Sequence, residues 1–174
     1  MSAIPGRYLA IIEPLIDTAR GILERGESLV PFAFVGNLTQ RRTDSVMLDT
    51  GSDATKDRSA ELIKELAHRN QADFVFVIMD AWSLPADKLS RLDEILERYG
   101  SIGASPYRID VIAFSLETRY GIWVAQVPVQ AKSAPSNART FGQPVFQHFT
   151  EAQGRFVDLL PVKPDGEGAA GTLH

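Results

Sequence analysis

The sequence predicts a mixed α+β fold. The expected form is a two-layer sandwich: a mixed, mostly antiparallel sheet with helices packed on one face. Three observations lead there. Helical and strand patterns follow one another as helix, hairpin, helix, strand, helix, hairpin, which is not a regular βαβ alternation. Two strand pairs are joined by short polar turns, as antiparallel neighbours are. Hydrophobic residues make up 44% of the chain and charged residues 23%, the balance of an ordinary globular domain. At 174 residues, about 70% of the unfolded surface is expected to be buried. The expected organisation is one domain over residues 1–162 and a flexible tail over 163–174.

The first helix is expected over Arg7 to Arg25. Leu9, Ile12, Ile16, Ala19 and Leu23 recur at helical steps. Pro14 predicts a kink or a start near that point, and Gly26 a stop. Strands are expected at Val30 to Val35 and Thr43 to Leu48, with the turn after Gly36-Asn37. A second helix follows over Thr55 to Arg69, with Ala60, Ile63 and Ala67 on its core stripe. Asp73 to Asp80 reads as the strongest strand. The step from the second strand to Asp73 is read as a crossover that makes the sheet mixed. Ser83 is read as the cap of a third helix, with Leu89, Leu92, Leu96 and Tyr99 on one apolar face and Gly100 as its stop. A long hairpin is expected over Arg108 to Leu116 and Ile122 to Val129. Lys132 to Gln143 is rich in Ser, Ala, Pro and Asn, so it reads as a loop or exchangeable arm. Val145 to Phe149 and Arg155 to Leu160 are read as a last strand pair.

Charge and residue counts exclude several classes. Lys plus Arg is 18 against 22 Asp plus Glu, a net charge of −4. That balance lacks the footprint of a general nucleic-acid binder. There is no cysteine, which removes disulfides, thiol nucleophiles and cysteine-held metal. No apolar run approaches the roughly 20 residues of a membrane span. No signal peptide is recognised, so a cytoplasmic location is expected. His68, His148 and His174 match no metal-binding spacing, and no serine elbow, phosphate loop or dinucleotide fingerprint is present. No cofactor is expected.

Three constellations remain. The string Val46-Met47-Leu48-Asp49-Thr50-Gly51-Ser52 resembles the signature of the aspartic proteases. The resemblance implies that Asp49 is catalytic and that two copies pair their aspartates, because like charges split the two pKa values. The alternative reading is that Asp49 to Asp53 ends a strand and caps a helix. The second constellation is Asp80, Asp110 and Glu117, carboxylates on strands that would hold Mg²⁺ or Mn²⁺ if they converged. Alternation places Asp110 and Glu117 on opposite faces unless a bulge intervenes. The third is Trp82 and Trp123, read as core anchors or, where exposed, as interface residues.

Lys56-Asp57, Ala60, Asp73-Phe74-Val75, Asp80-Ala81-Trp82, Arg108 and Glu117 together resemble uncharacterised bacterial and phage-associated proteins. That resemblance names no activity. It implies that the second helix, the strand ending in Trp82 and the hairpin strand belong together. The favoured expectation is a protein acting by self-association or by binding another protein. A hydrolase using Asp49, or a metal with Asp80, Asp110 and Glu117, is the alternative. A third is a small-ligand module with its pocket between the second helix and the strands.

Overall fold

The computed structural model describes residues 3–132, 136–151 and 156–161. Helix α1 (Gly6–Glu24) begins at Pro5, whose carbonyl accepts the N–H groups of Tyr8 and Leu9. It buries Tyr8, Ile12, Ile16, Ala19 and Leu23, one side chain per turn. Pro14 lies inside the helix and does not begin it. Its ring sits on the solvent side, and its carbonyl accepts the Thr18 hydroxyl at 2.9 Å.

Strands β1 (Phe32–Asn37) and β2 (Arg42–Met47) form an antiparallel hairpin, with Phe32 opposite Met47 and Asn37 opposite Arg42. Helix α2 (Asp53–Arg69) follows. Its start is built by local chemistry. Ser52 Oγ accepts the Thr55 N–H at 3.1 Å, and the Thr55 hydroxyl oxygen accepts the Ser52 N–H at 2.9 Å. This reciprocal cap satisfies two donors that the first turn would otherwise leave open. Ser52→Ala is expected to lower stability by about 1 kcal/mol, measured by urea unfolding with an unchanged slope.

The chain continues through β3 (Phe74–Ser83), a 3₁₀ helix (Ala86–Arg91) and α3 (Leu92–Tyr99). The hairpin of β4 (Ile109–Thr118) and β5 (Gly121–Pro128) comes next, then the short β6 (Gln130–Ala131), β7 (Arg139–Thr140) and β8 (Gln147–Phe149). The main sheet has six strands in the order β2-β1-β3-β4-β5-β8, and β6 pairs with β7 in a separate ribbon. The fold is α+β, and its main sheet is antiparallel. The crossover through α2 adds no parallel neighbour, because β1 lies between β2 and β3. Among the described residues no helix is long and apolar enough to cross a membrane.

Ser83 ends β3 instead of capping a helix, and Pro85 caps the 3₁₀ turn. The change from 3₁₀ to α winding shifts the phase of the expected apolar face. Ile95 is the buried residue of α3, while Leu89 and Leu96 are exposed. Gly100, at φ +84°, stops α3 as expected. Beyond β8, Phe156 to Pro161 forms turns and bends, so the expected final strand is absent there. Residues 152–155 and the expected tail 163–174 lie outside the described residues.

By contact the chain divides into two compact units. One comprises Met1–Pro31, Ile78–Phe114 and Trp123–His148. In it Phe114 packs on Phe141 and Phe146, with ring centroids 5.7 and 6.3 Å apart. The described end of the expected arm is anchored here. Phe141 is buried, the Arg20 guanidinium lies 4.7 Å from its ring centroid, and Arg20 donates to the carbonyls of Phe141 and Gly142. The Thr140 hydroxyl, then Lys132, hold the Glu24 carboxyl below the usual range.

The other unit comprises Phe32–Val77, Ser115–Ile122 and Phe149–His174. Helix α2 packs on β1 with Ala60, Ile63 and Ala67 buried. Gly36 lets β1 approach the Phe74 ring, because a Cβ there would fall 2.2 Å from Phe74 Cε1. Asn37 Nδ2 donates to the carbonyls of Asn70 and Gln71, and Leu38 N–H donates to Asp73 Oδ2 at 2.7 Å.

Candidate functional site

Asp49 lies in the junction between β2 and α2 and is exposed. Its Oδ1 accepts the Gly51 N–H at 3.0 Å, and Ser59 Oγ is bonded to its backbone N–H and C=O. The Asp-Thr-Gly-Ser string therefore serves as the strand end and helix cap at this junction, with Ser52 as the capping side chain.

The second constellation is not brought together. Among the described residues no three His, Asp or Glu side chains are placed to hold a metal ion. Asp80 and Asp110 are exposed, whereas Glu117 is buried. Alternation along β4 does not account for the last contrast: Asp110 falls on the same side of the strand as buried Ile112, Phe114 and Leu116, and is exposed where the strand begins.

Glu117 has a different job. Both its oxygens accept the Leu159 N–H, at 3.0 and 3.1 Å, and Oε2 also accepts the Leu160 N–H at 2.9 Å. Burial pushes its carboxyl above the ordinary range, and the bonds from Leu159 and Leu160 offset this only in part. Leu159 is itself fully buried. The carboxylate is thus a peg that ties residues 159 and 160 to the end of β4. N–H donors surround it where a cation's other ligands would have to stand.

A cleft of about 600 Å³ opens beside this peg, at the turn between β4 and β5. Thr118, Arg119, Glu151 and Asp158 give it a polar wall. A smaller cavity of about 120 Å³ adjoins Glu117 on the side of Asp73 and Leu160. Neither lies between α2 and the strands, where a ligand pocket was expected.

The two tryptophans part company. Trp123 is 2% exposed and stacks on His148 with centroids 4.3 Å apart, as a core anchor does. Trp82 is 54% exposed. It stands near the end of β3, where the chain leaves the sheet. Gly103 leaves room for the ring: a Cβ at 103 would fall 2.3 Å from Trp82 Cε3. The Arg108 guanidinium lies 4.9 Å from the ring centroid and is held by a 2.6 Å bond from Nη1 to the Gly103 carbonyl.

The neighbouring Tyr107 continues this arrangement. Lys88 Nζ stands 5.0 Å and Arg91 Cζ 5.6 Å from its ring centroid. Tyr99 meets it edge-on at 6.3 Å. Glu94 pairs with Arg91 at 3.1 Å, and that bond draws the Glu94 carboxyl down. The 3₁₀ helix that supplies Lys88 and Arg91 also exposes Leu89. Two ring–cation clusters result, Trp82 with Arg108 and Tyr107 with Lys88 and Arg91, joined through the adjacent residues Tyr107 and Arg108 within one unit.

Trp82 was legible as a candidate. Tyr107, Lys88 and Gly103 were missed, and Arg108 was named only within the resemblance, with no role of its own. Their meeting is set by the loop between α3 and β4, and no periodic pattern announces it. Gly103 in Ser-Ile-Gly-Ala-Ser signals a loop and nothing about the ring beside it.

No protein-family model, no curated protein and no solved structure matches this chain.

Proposed function

We propose that this protein works by docking another polypeptide on the surface around Trp82. One observation carries the reading: a large aromatic side chain is half exposed, with Arg108 over its ring and Gly103 against it. Tryptophan, tyrosine and arginine dominate the energetic centres of protein interfaces. Holding them in place beforehand removes part of the ordering cost of binding. Elsewhere in the chain a tryptophan of the same size is fully covered by its own fold.

The test is selection of a random peptide display library on the immobilised full chain. Three proteins are compared: wild type, Trp82→Ala and Gly103→Ala. The reading predicts binders that the wild type retains and both variants lose. Gly103→Ala leaves every exposed side chain chemically unchanged and only displaces the ring. Binders retained equally by all three proteins would overturn the reading.

A second reading is self-association, in the compartment proposed from the sequence, the cytoplasm. It is favoured by β2, a six-residue strand at the end of the sheet order with Met47 exposed. An edge strand presents open backbone groups to a second copy. Light scattering at high micromolar concentration is expected to give twice the monomer mass, and Met47→Lys to restore the monomer. A wild-type monomer under those conditions contradicts it.

A further inference from the structure

We infer that the surface around Trp82 selects an acidic polypeptide segment, one whose carboxylates alternate with apolar side chains. This rests on the docking reading above and specifies the partner's chemistry.

Among the described residues Arg20 pairs with Asp17, Arg25 with Glu27, Arg42 with Asp44, Lys64 with Glu61, Arg91 with Glu94 and Lys132 with Glu24. Lys88 and Arg108 are not among them. Among the described residues neither is ion-paired, although the chain has more acids than bases. Each instead lies against an aromatic ring, Lys88 on Tyr107 and Arg108 on Trp82. A cation over a ring gains from the ring's quadrupole and keeps its outward N–H groups free for an acceptor.

Arg108 is also pre-positioned. Its bond to the Gly103 carbonyl uses Nη1, which leaves the rest of the guanidinium fork for a carboxylate. Exposed Leu89, beside Lys88, and half-exposed Trp82 supply the apolar part of the contact. A segment that places carboxylates on the two cations and apolar side chains on Leu89 and Trp82 would satisfy both.

A single-stranded nucleic acid would also answer to cations and rings. It is disfavoured here. A backbone-tracking groove needs a row of cations, whereas one of the three here is already neutralised by Glu94.

The experiment uses fluorescence anisotropy with the full chain. The probes are a fluorescein-labelled peptide of alternating glutamate and leucine, the same peptide with glutamine for glutamate, and labelled oligothymidylate. The glutamate peptide is expected to bind at least about tenfold tighter than the glutamine peptide. That margin is expected to shrink as salt is raised from about 50 to 200 mM. The double variant Lys88→Gln with Arg108→Gln is expected to erase the margin, and Trp82→Ala to weaken both peptides. Unchanged melting temperatures in the variants confirm that they fold.

Equal binding of both peptides, lost in Trp82→Ala, would overturn the acidic preference and leave the docking reading standing. Peptide binding that ignores Trp82→Ala, or no peptide binding, would overturn both. Oligothymidylate binding that outcompetes the glutamate peptide would overturn the polypeptide assignment.

Discussion

Gly36→Ala is expected to lower stability by about 3 kcal/mol, near the top of the usual range for overpacking. In a chain of this length that is a fall of roughly 6–12 °C in melting temperature. The added methyl would stand 2.2 and 2.3 Å from Cε1 and Cζ of Phe74. Phe74 is buried to 1% exposure and opens the strand that follows α2. Relief of the overlap means displacing the buried ring or shifting β1, which carries α2 on it. Phe74→Leu should cost stability by itself, through the cavity it leaves. Combined with Gly36→Ala it should cost less than the sum of the two single changes. Calorimetry on the four proteins measures that coupling. Strict additivity would contradict the contact.

Glu117→Ala is expected to cost about 2–4 kcal/mol. It leaves the Leu159 and Leu160 N–H groups without their acceptor, at about 1–3 kcal/mol for each buried donor. Glu117→Gln keeps one acceptor oxygen and should fall in between. The two also differ in pH dependence. Burial raises the Glu117 carboxyl, so the folded chain holds that proton to higher pH than the unfolded chain does. Stability linked to the proton is fully present below the unfolded value near 4.3, and is lost as pH rises through the higher folded value. Denaturant titrations from pH 4 upward should show this decline in the wild type. Glu117→Gln should remove it. A glutamine variant with the wild-type slope would assign the titration to another group.

What was readable in the sequence was set locally. The capping of α2 depends on Ser52 and Thr55, three residues apart, and the stop of α3 depends on Gly100. The core stripe of α2 follows from helical period, as the body of β3 follows from an unbroken apolar run. The α+β class followed from the order of these elements.

What was not readable depends on distant partners. Glu117 looks like any acidic residue at a strand end. Its role comes from N–H groups 42 and 43 residues away, in a bend without periodicity. Phe141 sits in a polar stretch whose composition argues for a loose arm, and one aromatic ring received by Arg20 anchors it. The buried face of the third helix is out of phase with the apolar period of its sequence, because a 3₁₀ turn precedes it and shifts every later position on the wheel. That same shift exposes Leu89 and brings Lys88 to Tyr107, so the candidate docking surface arises where the simple pattern fails.

The most direct test of the docking account is the state of Trp82 in solution, read in the Trp123→Phe protein so that one tryptophan reports. Acrylamide quenching and time-resolved anisotropy measure its access and its motion together. The account predicts a ring open to quencher that tumbles with the whole protein, and Arg108→Ala should release it into faster motion. A ring closed to quencher, or one already moving freely in the unaltered surface, would contradict a preformed docking site.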